Sequence, residues 1–123
     1  IKETKQMTTK TENVLNKATK HFKSQLNGEL NKITVPEWET DIYYRSVSSF
    51  ATEGRIVELQ QQGKTVEALV ESLIAKALTP EGKPMFSRMD KTTLMTEVDP
   101  KVILKVCTEL NSTTTEYEAV EKN

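Results

Sequence analysis

Residues 65–78 read Thr65-Val66-Glu67-Ala68-Leu69-Val70-Glu71-Ser72-Leu73-Ile74-Ala75-Lys76-Ala77-Leu78. Val66, Leu69, Val70, Leu73, Ile74, Ala77 and Leu78 recur at three- and four-residue steps, the interval that lines one face of an α-helix. Thr65 is placed as the N-cap, its hydroxyl accepting from the first orphan N–H groups. Thr79-Pro80 stops the run, because Pro cannot supply the next helical N–H. This helix is the expected centre of the core.

Working outward, Ser46, Ser48 and Ser49 offer N-caps for a preceding helix that contains Phe50, Ile56, Val57 and Leu59 and closes near Gln62-Gly63. Gly54 weakens that helix by about 1 kcal/mol relative to Ala. Downstream, Pro80-Glu81-Gly82-Lys83-Pro84 is an exposed turn leading to Met85-Phe86, and a further helix from Ser87 takes in Met89, Leu94 and Met95. Asp99-Pro100 is a start signal, a capping carboxylate followed by Pro at the first helical position. Ile103, Val106, Cys107 and Leu110 then form an apolar face before Asn111-Ser112.

Nearer the N-terminus the period changes. Ile33 and Val35 alternate with Lys32 and Thr34, and after Pro36 the run Asp41-Ile42-Tyr43-Tyr44-Arg45 is again β-branched and aromatic, so a hairpin of two short strands fits. Before it, Val14, Ala18, Phe22 and Leu26 recur every fourth position, a thin helical stripe ending at Asn27-Gly28. The expected fold is mainly α: a small helical domain with one short β-hairpin near the N-terminal third. Its core is led by Leu69, Val70, Leu73, Ile74, Ile103, Val106 and Leu110. The domain spans residues 14–111, between a flexible polar arm at 1–13 and a flexible acidic tail at 112–123, neither of which has an apolar face to offset ordering entropy.

At 123 residues there is room for one modest core, and 36% hydrophobic with 28% charged residues is the composition of a folded chain. The net charge of -1 argues against a general nucleic-acid binder, which needs a surplus of Lys and Arg to displace counterions from phosphates. The charge is uneven, with seven Lys against three Glu before Ile33 and three Glu against one Lys after Asn111. A lone cysteine, Cys107, points to a reducing compartment, and neither a membrane span nor a secretory signal is expected.

Catalytic chemistry has little to stand on. His21 is the only histidine and has no companion for a metal site or a nucleophile relay. Cys107 falls on an apolar helix face with no base to activate it. The pairs Glu37 with Glu39 and Glu97 with Asp99 sit among turn and cap signals, as solvated acids do. Four isolated glycines make no phosphate-binding loop, so no enzyme, cofactor or metal is expected. What remains is apolar surface: Trp38, Tyr43 and Tyr44 around the hairpin, and Met85 with Phe86 after the turn. Two readings stay open, a lid on a small core or an exposed patch for a partner.

Taken in order, Ile33-Thr34-Val35-Pro36-Glu37-Trp38, the tyrosine-bearing strand ending in Arg45, the two helices of residues 47–78, the turn Glu81-Gly82-Lys83-Pro84-Met85-Phe86 and a last helix closing at Leu110-Asn111 resemble the tail assembly chaperone family of siphophages. The resemblance runs over roughly residues 22–111. It implies a bacteriophage protein that binds the tape-measure protein and tail-tube subunits in the host bacterial cytoplasm while the tail is built, and is then shed, so that the mature virion lacks it. In such families a longer form often arises by ribosomal frameshifting near the end, and self-association stays open. The competing expectations are a structural tail or head-completion component of the virion, and a small nucleic-acid-binding regulator using the basic arm.

Overall fold

The computed structural model describes residues 2–111, with side chains from residue 13 onward. Five helices and one hairpin follow in the order α1 (Lys2–Leu26), β1 (Asn31–Val35), β2 (Thr40–Tyr44), α2 (Phe50–Gln61), α3 (Thr65–Lys76), α4 (Lys91–Thr96) and α5 (Pro100–Leu110), with 3-10 turns at Pro36–Trp38 and Arg88–Asp90. The chain is thus a mainly helical domain with a short antiparallel hairpin in its N-terminal third. The helix expected from Val14 begins at Lys2 instead, and the tail expected over 112–123 lies outside the described residues.

The hairpin exists because its apolar residues alternate. Ile33 and Val35 of β1 face inward while Lys32 and Thr34 face solvent, and Ile33 lies directly opposite Ile42 of β2 on the buried side. Pro36 opens the connecting 3-10 turn, which Glu39 closes in the left-handed region at φ 50°, its N–H donating to the Pro36 carbonyl at 3.1 Å. One face of this ribbon therefore reaches the core, against α5.

α2 begins where Ser49 accepts from the Thr52 N–H at 3.2 Å. It ends in a Schellman motif: Gly63, at φ 76°, donates to the Gln60 carbonyl, and Lys64 N–H reaches back to Leu59 at 2.9 Å. The carbonyl of Lys64 already accepts from Ala68 N–H, so this one residue closes α2 and opens α3. Thr65 is thereby the first residue inside α3 and does not cap it, contrary to expectation.

α3 is the centre of the domain. Ala68 joins Ile56 and Leu59 of α2 in a small cluster, while Val70, Leu73 and Ala77 enter the main core with Leu94 of α4 and Val102, Ile103, Val106, Cys107 and Leu110 of α5. Of the expected core residues, Val70, Leu73, Ile103, Val106 and Leu110 are buried, and Leu69 and Ile74 pack half-buried against them. Helices on more than one side bury Ala68 and Ser72 too, whereas Val66 is left exposed.

The helix stops at Lys76, short of the expected Leu78, because Leu78 is claimed by the sheet. Its N–H and carbonyl exchange hydrogen bonds with Tyr43 at 2.7 and 3.0 Å, and it also bridges to Pro84. The turn of residues 79–83 is closed by Thr79 N–H to Lys83 at 2.8 Å and Gly82 N–H to Thr79 at 2.9 Å. A strand-like segment in extended conformation therefore joins the edge of β2.

Two caps complete the frame. Ser87 N–H donates to Asp90 at 2.8 Å ahead of α4, and Asp99 accepts from Lys101 N–H at 2.9 Å ahead of α5, with Pro100 at the first helical position as expected. Asn111 fastens the end of α5 to α3 by donating to Ser72 at 3.1 Å and accepting from Lys76 at 2.5 Å.

Glu71 is only 6% exposed and is held by Lys91 at 3.0 Å, which also reaches Glu67 at 3.1 Å, with the exposed Arg88 farther off at 3.7 Å. The hydrogen bonds that Lys91 donates to Glu71 and then to Glu67 hold its ammonium above its ordinary range. Lys91→Met leaves a buried carboxylate facing one loosely placed guanidinium, for an expected loss of about 1–3 kcal/mol in urea unfolding. A loss below half a kcal/mol would show that Arg88 alone suffices.

Candidate partner-binding surface

The five side chains picked out as a partner surface are all half-buried. Trp38, held by the 3-10 turn, meets Phe86 edge to face, with centroids 6.5 Å apart and planes at 79°. Trp38, Tyr44, Met85 and Phe86 all pack against the main core. Met85 is placed by its N–H, which donates to Ala77 at 3.0 Å. Tyr43 and Tyr44 are successive strand residues and so leave opposite faces of β2. The structure thus joins Trp38 to Phe86 and sends Tyr43 and Tyr44 to different sides, each with a partly exposed edge.

The most exposed apolar side chains are others. Phe50 is 97% exposed at the first position of α2, and Val57 is exposed seven residues further along. Between them Gly54 faces open space, since a Cβ there would meet nothing within 4 Å. This strip of α2 is apolar and uncovered among the described residues. Met89 is 91% exposed beside α4, and Leu104 is exposed on α5. The sequence held the signal for Phe50: with Leu59 inward, a residue nine positions earlier lies about 180° round the helix.

A second feature lies where α1 meets the start of α2. The last turn of α1, through Phe22 and Leu26, forms a cleft of about 240 Å³ with Val47, Thr52, Ala75 and Leu78. Arg45 and Lys76 also line it. The guanidinium of Arg45 donates to the Leu26 carbonyl, which places a cation at the C-terminus of α1 where the helix dipole favours it. Arg45 in turn lies against Gly82, at φ 81°, where a Cβ would come within 3.0 Å of Nη2. Residues 13–21 of α1 are exposed throughout, including Val14 and Leu15.

His21 sits on that exposed stretch, and Cys107 is buried in α5. Among the described residues no three His, Cys, Asp or Glu are grouped to hold a metal ion. Nor is any described helix long and apolar enough to cross a membrane.

No family model matches the sequence. No curated protein matches it either. Among solved structures, the tail assembly chaperone of bacteriophage HK97 is similar, with a TM-score of 0.51 over 75% of this chain and 94% of that one, at 19% identity. The likeness is one of fold, and it spans nearly the whole HK97 protein: this chain has the fold of a siphophage tail assembly chaperone.

Proposed function

We propose that this protein is a bacteriophage tail assembly chaperone, non-catalytic, that binds the tape-measure protein and tail-tube subunits in the host cytoplasm and is absent from the finished virion. The observation that carries the reading is the fold shared with almost the entire HK97 chaperone. The surface supports it. A long helical client with apolar stripes aggregates unless those stripes are covered, and a small domain displaying Phe50 and Val57 beside Gly54 offers apolar area for that purpose. The partly exposed edges of Trp38, Tyr43, Tyr44, Met85 and Phe86 extend the contact. Several copies along one client hold it through weak contacts that release one by one as tube subunits arrive.

Co-expression with the tape-measure protein tests this. The client is expected to be soluble only with the chaperone present, in a complex that survives high salt because apolar burial drives it. Phe50→Glu changes a side chain that touches little, so fold stability should stay within about 0.5 kcal/mol while client solubility is lost. A client equally soluble with and without the protein sinks the assignment. Recovery of the chain from purified virions would favour a structural component instead.

A further inference from the structure

We infer that β1 is an open sheet edge that pairs antiparallel with β1 of a second copy of this chain, joining two hairpins into one sheet about a two-fold axis between the two Ile33 residues. The inference stands apart from the chaperone reading. It begins with the backbone groups that the hairpin leaves over. Tyr43 exchanges its N–H and carbonyl bonds with Leu78, on the side of β2 away from β1. Lys32, directly opposite Tyr43, is therefore in a non-hydrogen-bonded pair, and by alternation so is Thr34 opposite Asp41. The N–H and carbonyl groups of Lys32 and Thr34 thus point out of the hairpin.

Nothing described covers them. Leu78 extends the sheet beyond β2, while β1 has no strand on its other side among the described residues. No described group hydrogen-bonds to these two N–H or two carbonyl groups. Both residues are exposed. Two donors and two acceptors in a row, open to solvent, are a template for another strand.

The occupant follows from self-complementarity. Outward-pointing residues must face one another, which leaves three ways to pair β1 with itself. Lys32 opposite Lys32 sets like charges against each other. Thr34 opposite Thr34 brings Lys32 against Pro36, which has no N–H to give. Lys32 opposite Thr34 avoids both faults, and every outward N–H of the two edges finds a carbonyl. In that register Ile33 meets Ile33. Because Ile33 already lies opposite Ile42 on the buried side, the inner face gains an unbroken row of four isoleucines across the joint. On the outer face Thr34 lies between its own Asp41 and the second copy's Lys32, so opposite charges share each row. Lys32 thus admits this register and discourages the others.

Sedimentation equilibrium of the full chain over a concentration series is expected to show a monomer–dimer equilibrium. Thr34→Pro deletes an N–H that β2 does not use, so the hairpin is kept, but symmetry removes that donor twice from the joint. The dimer dissociation constant should rise by about tenfold or more, while Thr34→Ala, which keeps the N–H, should leave it within about threefold. A chain that stays monomeric throughout, or a dimer that Thr34→Pro leaves intact, overturns the proposal. A nitroxide on Lys32→Cys or on Thr34→Cys reads the register separately, since Cys107 is buried and does not compete for the label. Across the two-fold axis each label faces its own copy on a diagonal, with backbones roughly 7–8 Å apart. Both spectra should therefore show equal dipolar broadening that dilution with unlabelled chain removes. Broadening at one position alone, or at neither, excludes the pairing, and these labels decide should Thr34→Pro fail to fold. A monomer whose Lys32 and Thr34 amides gain exchange protection only on addition of the tape-measure protein would give the edge to that client and overturn the proposal equally.

Discussion

Leu73→Ala is expected to lower the unfolding free energy by about 2–5 kcal/mol. Leu73 is 0% exposed and belongs to α3, which packs against α2, α4 and α5. Around it the main core includes Val70 of α3, Ala77 just past its end, Leu94 of α4, and Val106 and Leu110 of α5. Helices fixed by caps at Ser49 and Asp99 and by the Asn111 clasp have little freedom to close over a lost isobutyl group. The value should therefore sit toward the upper part of that range. Urea unfolding gives the test, provided the slope with denaturant is unchanged. A loss under half a kcal/mol would remove Leu73 from the core.

Leu73 was legible because a helix buried on one broad face writes its period directly into the sequence. So were Ile33, Val35 and Ile42, whose alternation specifies a half-buried ribbon, and Asp99-Pro100, whose chemistry suits only a helix start. The misreadings share a cause, which is that backbone groups choose partners that side-chain patterns do not reveal. Leu78 continues the helical spacing of α3, yet its amide and carbonyl pair with Tyr43. Thr65 is a good cap by type, but Lys64 must end one helix and begin the next within a single residue. Local propensity was overruled by a tertiary bond in one case and by a short connection in the other.

Surface was harder to read than core. Trp38 and Phe86 stand far apart in sequence, and nothing in either stretch announces that they meet edge to face. Large aromatic side chains near a small core tend to lie partly over it, as these do. Phe50 shows the reverse problem: an apolar type at the first helical position looks like core until its angle from Leu59 is considered. Arg45 could not be placed from sequence at all, since its partner carbonyl belongs to Leu26, across the hairpin from it. The likeness to the HK97 chaperone, at 19% identity, is one of overall fold.

Raising the pH above 9 is expected to destabilise the protein through Cys107 before Lys91 contributes. The thiol is 1% exposed, and its Sγ lies 3.2 Å from the Leu69 carbonyl, to which it donates. Burial pushes it from 9.0 up to about 12, with Lys76 pulling weakly the other way. Below pH 9 the thiol is protonated in folded and unfolded chains alike, and stability is flat with respect to it. Between pH 9 and about 12 the unfolded chain releases its proton while the folded chain keeps it. Stability then falls by about 1.4 kcal/mol for each pH unit, toward a total of about 4 kcal/mol. Lys91, raised above 10.5, adds to the loss only past that point, because the stability it contributes is complete below 10.5. In the window from pH 9 to 10.5 the loss through the cysteine thus precedes that through Lys91. Cys107→Ala lowers stability at every pH by emptying part of the core, but it should abolish the slope in that window. Binding of the proposed client, measured below pH 9 where the variant remains folded, should be unaffected, as no chemistry is assigned to the thiol. Equal slopes in the two proteins would show that the thiol ionises as freely folded as unfolded, and would take Cys107 out of the buried face of α5.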